Sequence, residues 1–370
     1  MKKEIIYFVD IFGWGGIETF ICNICSGLDS DKFSIKIVAI NKITDHFDAL
    51  LESLNVELEV LVQERLTDPL KRFFYGLKIF KKYVSRLNDP IMHFNVSNAV
   101  DLLYVEIAKK NSITTRIVHC HNSDATNTFK KIAHYTLKPF LCNNATCKMA
   151  CSDKAAKWLF SKKSFMARDY LLVRNSIPVN DYLFDANIRK EIRLREGWDE
   201  KFVIGHIGRF NVQKNHKALI SIFEQIHILR SDSYLVLIGE GSLEEEIRQL
   251  VKDKNMCDCV CFYGMTFEVN KILQGMDLFI LPSLYEGLPF VLVESQAASL
   301  PTLASDSITK EVIISDYIKY CSLNAQHIEW AKMAIELGQM RRVDNMDHII
   351  RSGFGLDTTV QELEKIYLTL

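Results

Sequence analysis

Short apolar runs alternate with amphipathic stretches along the whole 370-residue chain. A run of four to eight β-branched or aromatic residues reads as a strand, whereas apolar residues spaced three and four apart mark one side of a helix. On that pattern strands are predicted at Ile5–Val9, Ser34–Ile40, Glu57–Leu61, Ile91–Phe94, Arg116–His119 and Thr146–Ala150, with helical stretches in most of the gaps. From Arg174 to Trp198 the pattern is less regular. Pro178, several Asn and Asp residues and a charged segment give that stretch the character of a connection between domains. The alternation then restarts, with strands predicted at Phe202–Ile207, Tyr234–Ile238, Val260–Phe262 and Leu278–Leu281. Ala218, Leu219, Ile222, Phe223, Ile226 and Leu229 mark the apolar side of one helix, and Ser242 with Glu245 gives a capping-box start to the next. Val360, Leu363, Ile366 and Tyr367 have the spacing of a last helix. Strands that alternate with helices argue for parallel sheets covered on both faces, so two doubly wound α/β domains are predicted.

Length agrees, since 370 residues exceed what one core usually organises. A hydrophobic share of 48% with only 7 prolines excludes disordered and fibrous classes. The run Ile5–Val9 is cut by Asp10 before an export-signal core could form, and no later apolar run is long enough to span a bilayer. The ten cysteines are therefore read as reduced thiols. Cys22 and Cys25 fall in a predicted helix, while Cys257, Cys259 and Cys261 alternate like strand residues, so neither group has the geometry of a metal site. The net charge of −1 hides a division. Residues 1–180 hold 25 Lys and Arg against 18 Asp and Glu, an excess of 7, and the remainder carries −8. Most of the excess lies between Arg65 and Arg174, with 20 basic residues against 7 acidic, a surface that attracts anions.

Three motifs carry candidate chemistry, each between a predicted strand and a helix. In GWGGIETFI, Gly15 and Gly16 remove side chains where backbone could approach a diphosphate, and the helix start behind them supplies amide donors. In GRFNVQKN, Arg209 offers a fork of donors and Lys214 a compact ammonium; together they could hold a phosphate and neutralise charge on a departing diphosphate. In YEGLPFVLVE, Gly287 allows a turn, Pro289 suits the first turn of a helix, and the amides around Leu288, Phe290 and Val291 would point at an anion. Glu286 stays on the loop and Glu294 lies more than one turn inside the helix, so the two carboxylates can reach different hydroxyls of one elongated ligand.

Glu286 and Glu294, eight residues apart, resemble the E-x7-E signature of the large retaining glycosyltransferase family with the GT-B fold. GGIETFI, RIVHCHNS, ACSDKAAKWLF, GRFNVQKNH, LIGEGSL and LPSLYEGLPFVLVESQA resemble that family in the same order, from about Ile5 to Val312, nearest to its bacterial capsule and exopolysaccharide members. The resemblance implies two Rossmann-like domains facing each other across a cleft. Residues 1–175 would bind the acceptor, with a C-terminal helix at about 357–370 packing back on them, and residues 176–356 would bind the nucleotide sugar. It implies that Arg209 and Lys214 grip the donor diphosphate and that Glu294 binds the ribose. Glu286, Gly287, Leu288, Pro289 and Phe290 would hold sugar and phosphate, while Gly15 and Gly16 close the cleft. His121 matches a histidine beside the reacting sugar carbon, with Asn122 near the acceptor; His119 is expected to point elsewhere.

The implied chemistry is retaining and metal-independent, needs no cofactor, and prefers a UDP-sugar over a GDP-sugar. The acceptor would be a glycan or lipid-linked glycan, and the place the cytoplasm or the inner face of the plasma membrane. Asp29-Ser30-Asp31 matches the D-x-D of metal-dependent transferases but sits where Asp and Ser make turns. Leu70 to Arg86 interleaves aromatic and basic residues, so an anionic membrane is a candidate partner, whereas no motif accompanies the charge that would indicate nucleic acid. Asn175-Ser176-Ile177 stands where the family often has Asn-Gly-Ile, a departure expected to touch no catalytic position. A nucleotide-sugar epimerase of the same fold and a non-catalytic nucleotide-sugar-binding protein are the alternatives.

Overall fold

The computed structural model describes residues 2–63, 68–125, 128–343 and 346–370, with only the backbone of Pro69, Leu70, Met346 and Asp347. Arg65 and the side chain of Leu70 thus lie outside the described residues. Two compact units result, residues 1–176 with 356–370, and residues 177–355.

The first unit runs β1 (Lys3–Phe12), α1 (Gly16–Gly27), β2 (Phe33–Lys42), α2 (Asp48–Ser53), β3 (Glu57–Val60), α3 (Pro69–Val84), β4 (Ile91–Val96) and α4 (Leu102–Lys110). It continues through β5 (Arg116–Cys120), α5 (Thr128–Leu141), β6 (Cys147–Ala150), α6 (Asp153–Leu159), α7 (Lys162–Met166) and β7 (Leu171–Leu172). Its strands pair in parallel in the order β3-β2-β1-β4-β5-β6-β7. Because helices cover both faces, central strands are apolar without alternation. Phe8 packs on Phe80, Phe94 and Tyr104 of α3, β4 and α4, while its neighbour Tyr7 turns to the opposite face and meets His93.

The second unit runs α8 (Ala186–Glu196), β8 (Phe202–Ile207), α9 (His216–Leu229), β9 (Ser233–Ile238), α10 (Glu244–Asp253), β10 (Val260–Gly264) and α11 (Val269–Gly275). There follow β11 (Leu278–Leu281), α12 (Phe290–Ala297), β12 (Thr302–Ser305), β13 (Ile318–Cys321), α13 (His327–Leu337) and α14 (Met346–Arg351). Its parallel order is β10-β9-β8-β11-β12-β13, around a core that includes Phe223, Leu235, Leu278 and Trp330. The closing helix α15 (Leu356–Thr369) returns to the first unit. There Lys3 Nζ donates to the carbonyls of Tyr367 and Leu368 at 3.0 and 2.9 Å, which satisfies acceptors that a helix end leaves unpaired.

Several local expectations need correction. The irregular connection contains α8, which has few apolar positions and is held instead by Arg189 and Arg193 on Asp277, at 2.5 and 3.1 Å. The capping box does not form: α10 begins at Glu244 behind Leu243 without a side-chain cap. Of Cys257, Cys259 and Cys261 only Cys261 lies in a strand; these and the other cysteines are free thiols. β7, β12 and β13 escape the pattern because they are two to four residues long and the latter two carry Thr302, Ser305 and Lys319. Among the described residues no helix is long and apolar enough to cross a membrane.

Candidate functional site

In each sheet the strand order reverses direction about a central pair, β1 and β4 in one unit and β8 and β11 in the other. Ligands of doubly wound sheets bind outside the carboxyl ends of the strands at such a switch point. The three glycine-, lysine- and glutamate-bearing motifs begin there, following β1, β8 and β11.

The loop after β8 is built around Asn211 and Asn215. Asn211 Oδ1 accepts from the amide of Lys214 at 3.1 Å and caps a short 3-10 turn, Val212–Lys214. Asn215 then takes φ 56°, a left-handed conformation that Asn tolerates, and its Nδ2 donates to Pro282 O at 3.1 Å. Gly241, after β9, is required for this path, since a Cβ there would lie 2.4 Å from Phe210 O. The stem of Lys214 folds over Gly208. Its Nζ reaches Glu286 Oε1 at 2.8 Å, both side chains being largely enclosed. Gln213 Nε2 donates to Glu286 Oε2 at 3.1 Å and to Tyr285 O at 3.0 Å, and the Leu284 amide returns a bond to Gln213 O at 2.8 Å. The loops after β8 and β11 are thus fastened together by an ion pair and a hydrogen-bond ladder. Arg209 is exposed, adjoining the glycine that the lysine stem covers.

Beyond Glu286, the buried residues Gly287, Leu288 and Pro289 lead into α12. Pro289 is the N-cap residue rather than part of the first turn, supplies no side-chain cap, and Phe290 opens the helix. One turn further, Glu294 is buried and accepts from Tyr182 Oη at 3.1 Å. Burial pushes its carboxyl up to about 7, against the opposing pulls of that hydrogen bond and of the Lys214 charge. Lys214, Glu286 and Glu294 therefore share one electrostatic neighbourhood, with carboxylate oxygens as hydroxyl acceptors beside a cation suited to phosphate.

The first unit presents different chemistry. Gly15 is the extended N-cap of α1, Gly16 its first residue, and the Gly13 amide is already taken by the buried Glu18 carboxylate at 2.8 Å. His121 follows β5, is buried, and has its Nε2 2.9 Å from Asn95 Oδ1. With an amide oxygen as acceptor, Nε2 carries the proton and Nδ1 presents a lone pair. Nδ1 makes no hydrogen bond of good geometry, though the Asn175 side chain is near enough to favour the charged ring. Burial dominates and holds the ring down at about 3. Asn122 is half-buried, its Oδ1 turned onto the Ser123 amide at 2.9 Å.

One expectation fails here. His119 does not point away: residues two apart on a strand share a face, and the His119 and His121 rings lie 4.0 Å apart under Phe20. In the Asn175-Ser176-Ile177 corner it is Asn175 that lies beside His121, whereas the departure from the family pattern is at Ser176. Behind His119 runs a buried chain in which Tyr7 and Tyr367 hydroxyls lie 2.7 Å apart, Tyr367 is 2.8 Å from His93 Nδ1, and His93 Nε2 is 3.3 Å from His119 Nδ1. Asn95, Gln213 and Tyr182 were not singled out in the sequence. Asn95, a polar residue inside the run IMHFNV, was the one with a visible signal. Asp29 of the D-x-D makes a turn, its Oδ1 accepting from the Asp31 amide at 2.9 Å. Among the described residues no group of three His, Cys, Asp or Glu could hold a metal.

The family model for glycosyl transferases group 1 matches residues 188–348. The Campylobacter jejuni N-acetylgalactosamine-N,N'-diacetylbacillosaminyl-diphospho-undecaprenol 4-alpha-N-acetylgalactosaminyltransferase is 33% identical over 309 residues, 82% of this chain and 81% of that one. EpsF of Bacillus subtilis is 24% identical over 375 residues, 99% of this chain and 96% of its own. Among solved structures, Anabaena Alr3699/HepE in complex with UDP and glucose superposes with a TM-score of 0.79 at 16% identity, covering 99% of both chains. That likeness establishes the fold as GT-B.

Proposed function

The chain belongs to the glycosyl transferases group 1 family, and from that premise we propose that it moves a sugar, with retention of configuration and without a metal ion, from a UDP-sugar to a lipid-linked glycan of a bacterial capsule, exopolysaccharide or O-antigen. A GDP-sugar is the second choice of donor. The observation that carries the reading is the cluster of Lys214, Glu286 and Glu294 at the carboxyl ends of β8 and β11. A cation held 2.8 Å from one carboxylate, with a second carboxylate one turn inside the following helix and within reach of the same charge, suits a ligand that combines diphosphate with hydroxyls. The relatives' names agree in kind: one acts on a diphospho-undecaprenol glycan and another protein of this fold binds UDP and glucose.

In the proposed reaction the second unit binds the donor. Arg209 and Lys214 take the diphosphate and stabilise the charge that grows on it as the bond from the anomeric carbon breaks. This is work a divalent ion does in other transferases. Glu294 accepts from the ribose hydroxyls; Glu286, with the backbone from Gly287 to Phe290, holds the sugar. The acceptor oxygen bonds to the anomeric carbon on the face the diphosphate leaves, and its proton passes to the departing phosphate oxygen. The first unit binds the acceptor, with Gly15 and Gly16 close to the donor phosphates, His121 as a neutral hydrogen-bonding group for the transferred sugar, and Asn122 on the acceptor. It works peripherally at the cytoplasmic face of an anionic membrane.

The test is transfer from a panel of UDP- and GDP-sugars to a lipid diphosphate glycan, with the anomeric configuration read by NMR. One UDP-sugar should be used, with retention, and at full rate in excess chelator. Inversion, an absolute need for manganese, or conversion of the donor with no acceptor present would each overturn the part of the reading it addresses.

A further inference from the structure

A carboxylate buried in a fold takes up a proton unless hydrogen bonds or a cation hold its charge. Glu294 is 6% exposed, and its hydrogen-bond partner is a phenol, Tyr182, whose Oη donates to Oε1 at 3.1 Å. The two residues are 112 apart in sequence, and no motif joins them. Burial and the adjacent Glu294 charge push the Tyr182 hydroxyl well above the ordinary phenol range, so it remains a donor wherever the protein is folded.

The phenol is aimed by its own backbone. Gln274, buried at the end of α11, donates from Nε2 to the carbonyls of Tyr182 and Leu183 at 3.1 and 3.3 Å, and its Oε1 accepts from the Asp185 amide at 3.2 Å. Asn270 Nδ2 donates to Asp181 O at 3.0 Å, and the Arg342 guanidinium lies 4.3 Å from the centre of the Phe184 ring. Each residue from 181 to 185 is thereby fastened. At position 182 this tether uses only the carbonyl, so it would hold a phenylalanine equally well. The hydroxyl acts on Glu294 alone.

Two effects on the carboxylate follow. An ionised carboxylate offers about four lone-pair positions, of which the phenol takes one on Oε1, so Oε2 and the remainder of Oε1 are left for a ligand with two adjacent hydroxyls. The phenol also favours the charged form, which burial disfavours, and Lys214 pulls in the same direction from the loop after β8. Asp181 bears on the phenol in turn, and Glu286 on Lys214. A neutral carboxyl would spend one oxygen as a donor and serve two vicinal hydroxyls less well.

We infer that Tyr182 is a positioning residue for donor recognition: its hydroxyl orients Glu294 and keeps it an acceptor, so that the site selects nucleoside diphosphates with both ribose hydroxyls over those that lack them. This rests on the proposed function, in which Glu294 takes the ribose, and adds the residue that gives the contact its selectivity.

The test is titration calorimetry of UDP and 2',3'-dideoxy-UDP against the full chain between pH 6 and 9, for wild type, Tyr182→Phe, Glu294→Gln and the double variant. GDP and its dideoxy analogue replace them should wild type bind GDP more tightly. Wild type at pH 8 should bind UDP at least about tenfold more tightly than the dideoxy compound. At pH 7 Tyr182→Phe should lose about fivefold for UDP and less than about twofold for the dideoxy compound. The pH at which UDP affinity levels off should rise by about one unit, so the loss shrinks by pH 9. Measured in every variant at every pH, the dideoxy compound cancels the titration of phosphates and remote histidines. On top of Glu294→Gln, Tyr182→Phe should change UDP affinity by less than about twofold. Unchanged circular dichroism would verify that the variants fold. No loss in Tyr182→Phe, an equal loss for both nucleotides, or an unmoved pH profile would overturn the inference and leave the ribose contact standing. A wild type that binds both nucleotides alike would overturn that contact and the inference with it. The expected binding pattern in a chain that transfers no sugar would refute the reaction and leave the role of Tyr182 standing.

Discussion

The two units share one plan, a parallel sheet with helices on both faces and candidate residues at the carboxyl ends of central strands, but they fill the switch points with opposite chemistry. In the second unit the groups are charged and paired: Lys214 on Glu286, with Glu294 beside them held up at about 7. In the first they are buried rings whose imidazoles are held neutral, His93 and His121 down at about 3 and His119 lower than its ordinary value. A charge cluster enclosed but ready to exchange partners suits an anionic ligand. An uncharged imidazole with one nitrogen fixed by Asn95 suits orientation of a neutral one, and adds no cation to compete for the diphosphate.

That contrast breaks most visibly at Lys214. Lys214→Ala should lower transfer about 100- to 1,000-fold. It should also cost about 1–3 kcal/mol of stability, because the enclosed Glu286 loses the ammonium that it faces at 2.8 Å. Lys214→Met with Glu286→Gln should recover the stability and none of the activity, as read by product formation beside thermal unfolding. His121→Ala should lower kcat by a smaller factor, on the order of 10- to 100-fold, since a neutral donor or acceptor contributes less than a charge. The donor KM should move little.

A change of pH sharpens the comparison further. Histidines whose folded pKa lies below the unfolded value near 6.5 leave the unfolded chain binding more protons, so their stabilisation is complete above that value and is lost as pH falls through it toward 3. Between pH 7 and 5, His93 and His121 should each withdraw about 2 kcal/mol from the first unit. In the second unit His206 and His216, at about 3 and 2, act the same way. Glu294 opposes them, since a carboxyl raised in the fold gains protons, and stability, as pH drops from about 7 toward 4.5. In the first unit Asp101, raised to about 6 by burial, opposes in the same way, but His119 and His134 are lowered there as well; amide protection factors should therefore fall more in β4 and β5 than in β8 and β11 on acidification. The smallest effect is expected for Tyr367→Phe. It removes the hydroxyl joining Tyr7 to His93 and should cost about 1–2 kcal/mol in unfolding, with transfer nearly unchanged.

Patterning revealed much of this. The strands Phe202–Ile207 and Leu278–Leu281 were legible to the residue because both are uninterrupted apolar runs ending in loops rich in Gly, Asn and Pro. The edge strand β13 was not, because an edge position admits Lys319 and Tyr320 and dilutes the signal. Lys214 and Glu286 stood out through local motifs, but that they would meet depends on β8 lying next to β11, which are 72 residues apart in sequence at that contact. The placement of Tyr182 on Glu294 and of Asn95 on His121 is likewise tertiary, since neither pair shares a motif. Reading His119 as pointing away neglected the period of two that the strand prediction itself required.

The central claim is that the donor's charge is held by the second unit and not by the histidines of the first. Titration calorimetry of UDP against wild type, Lys214→Ala and His121→Ala tests it most directly. At least a tenfold loss of affinity is predicted for the lysine variant and a change within about threefold for the histidine variant. Unaltered affinity in Lys214→Ala, or an equal loss in His121→Ala, would contradict the account.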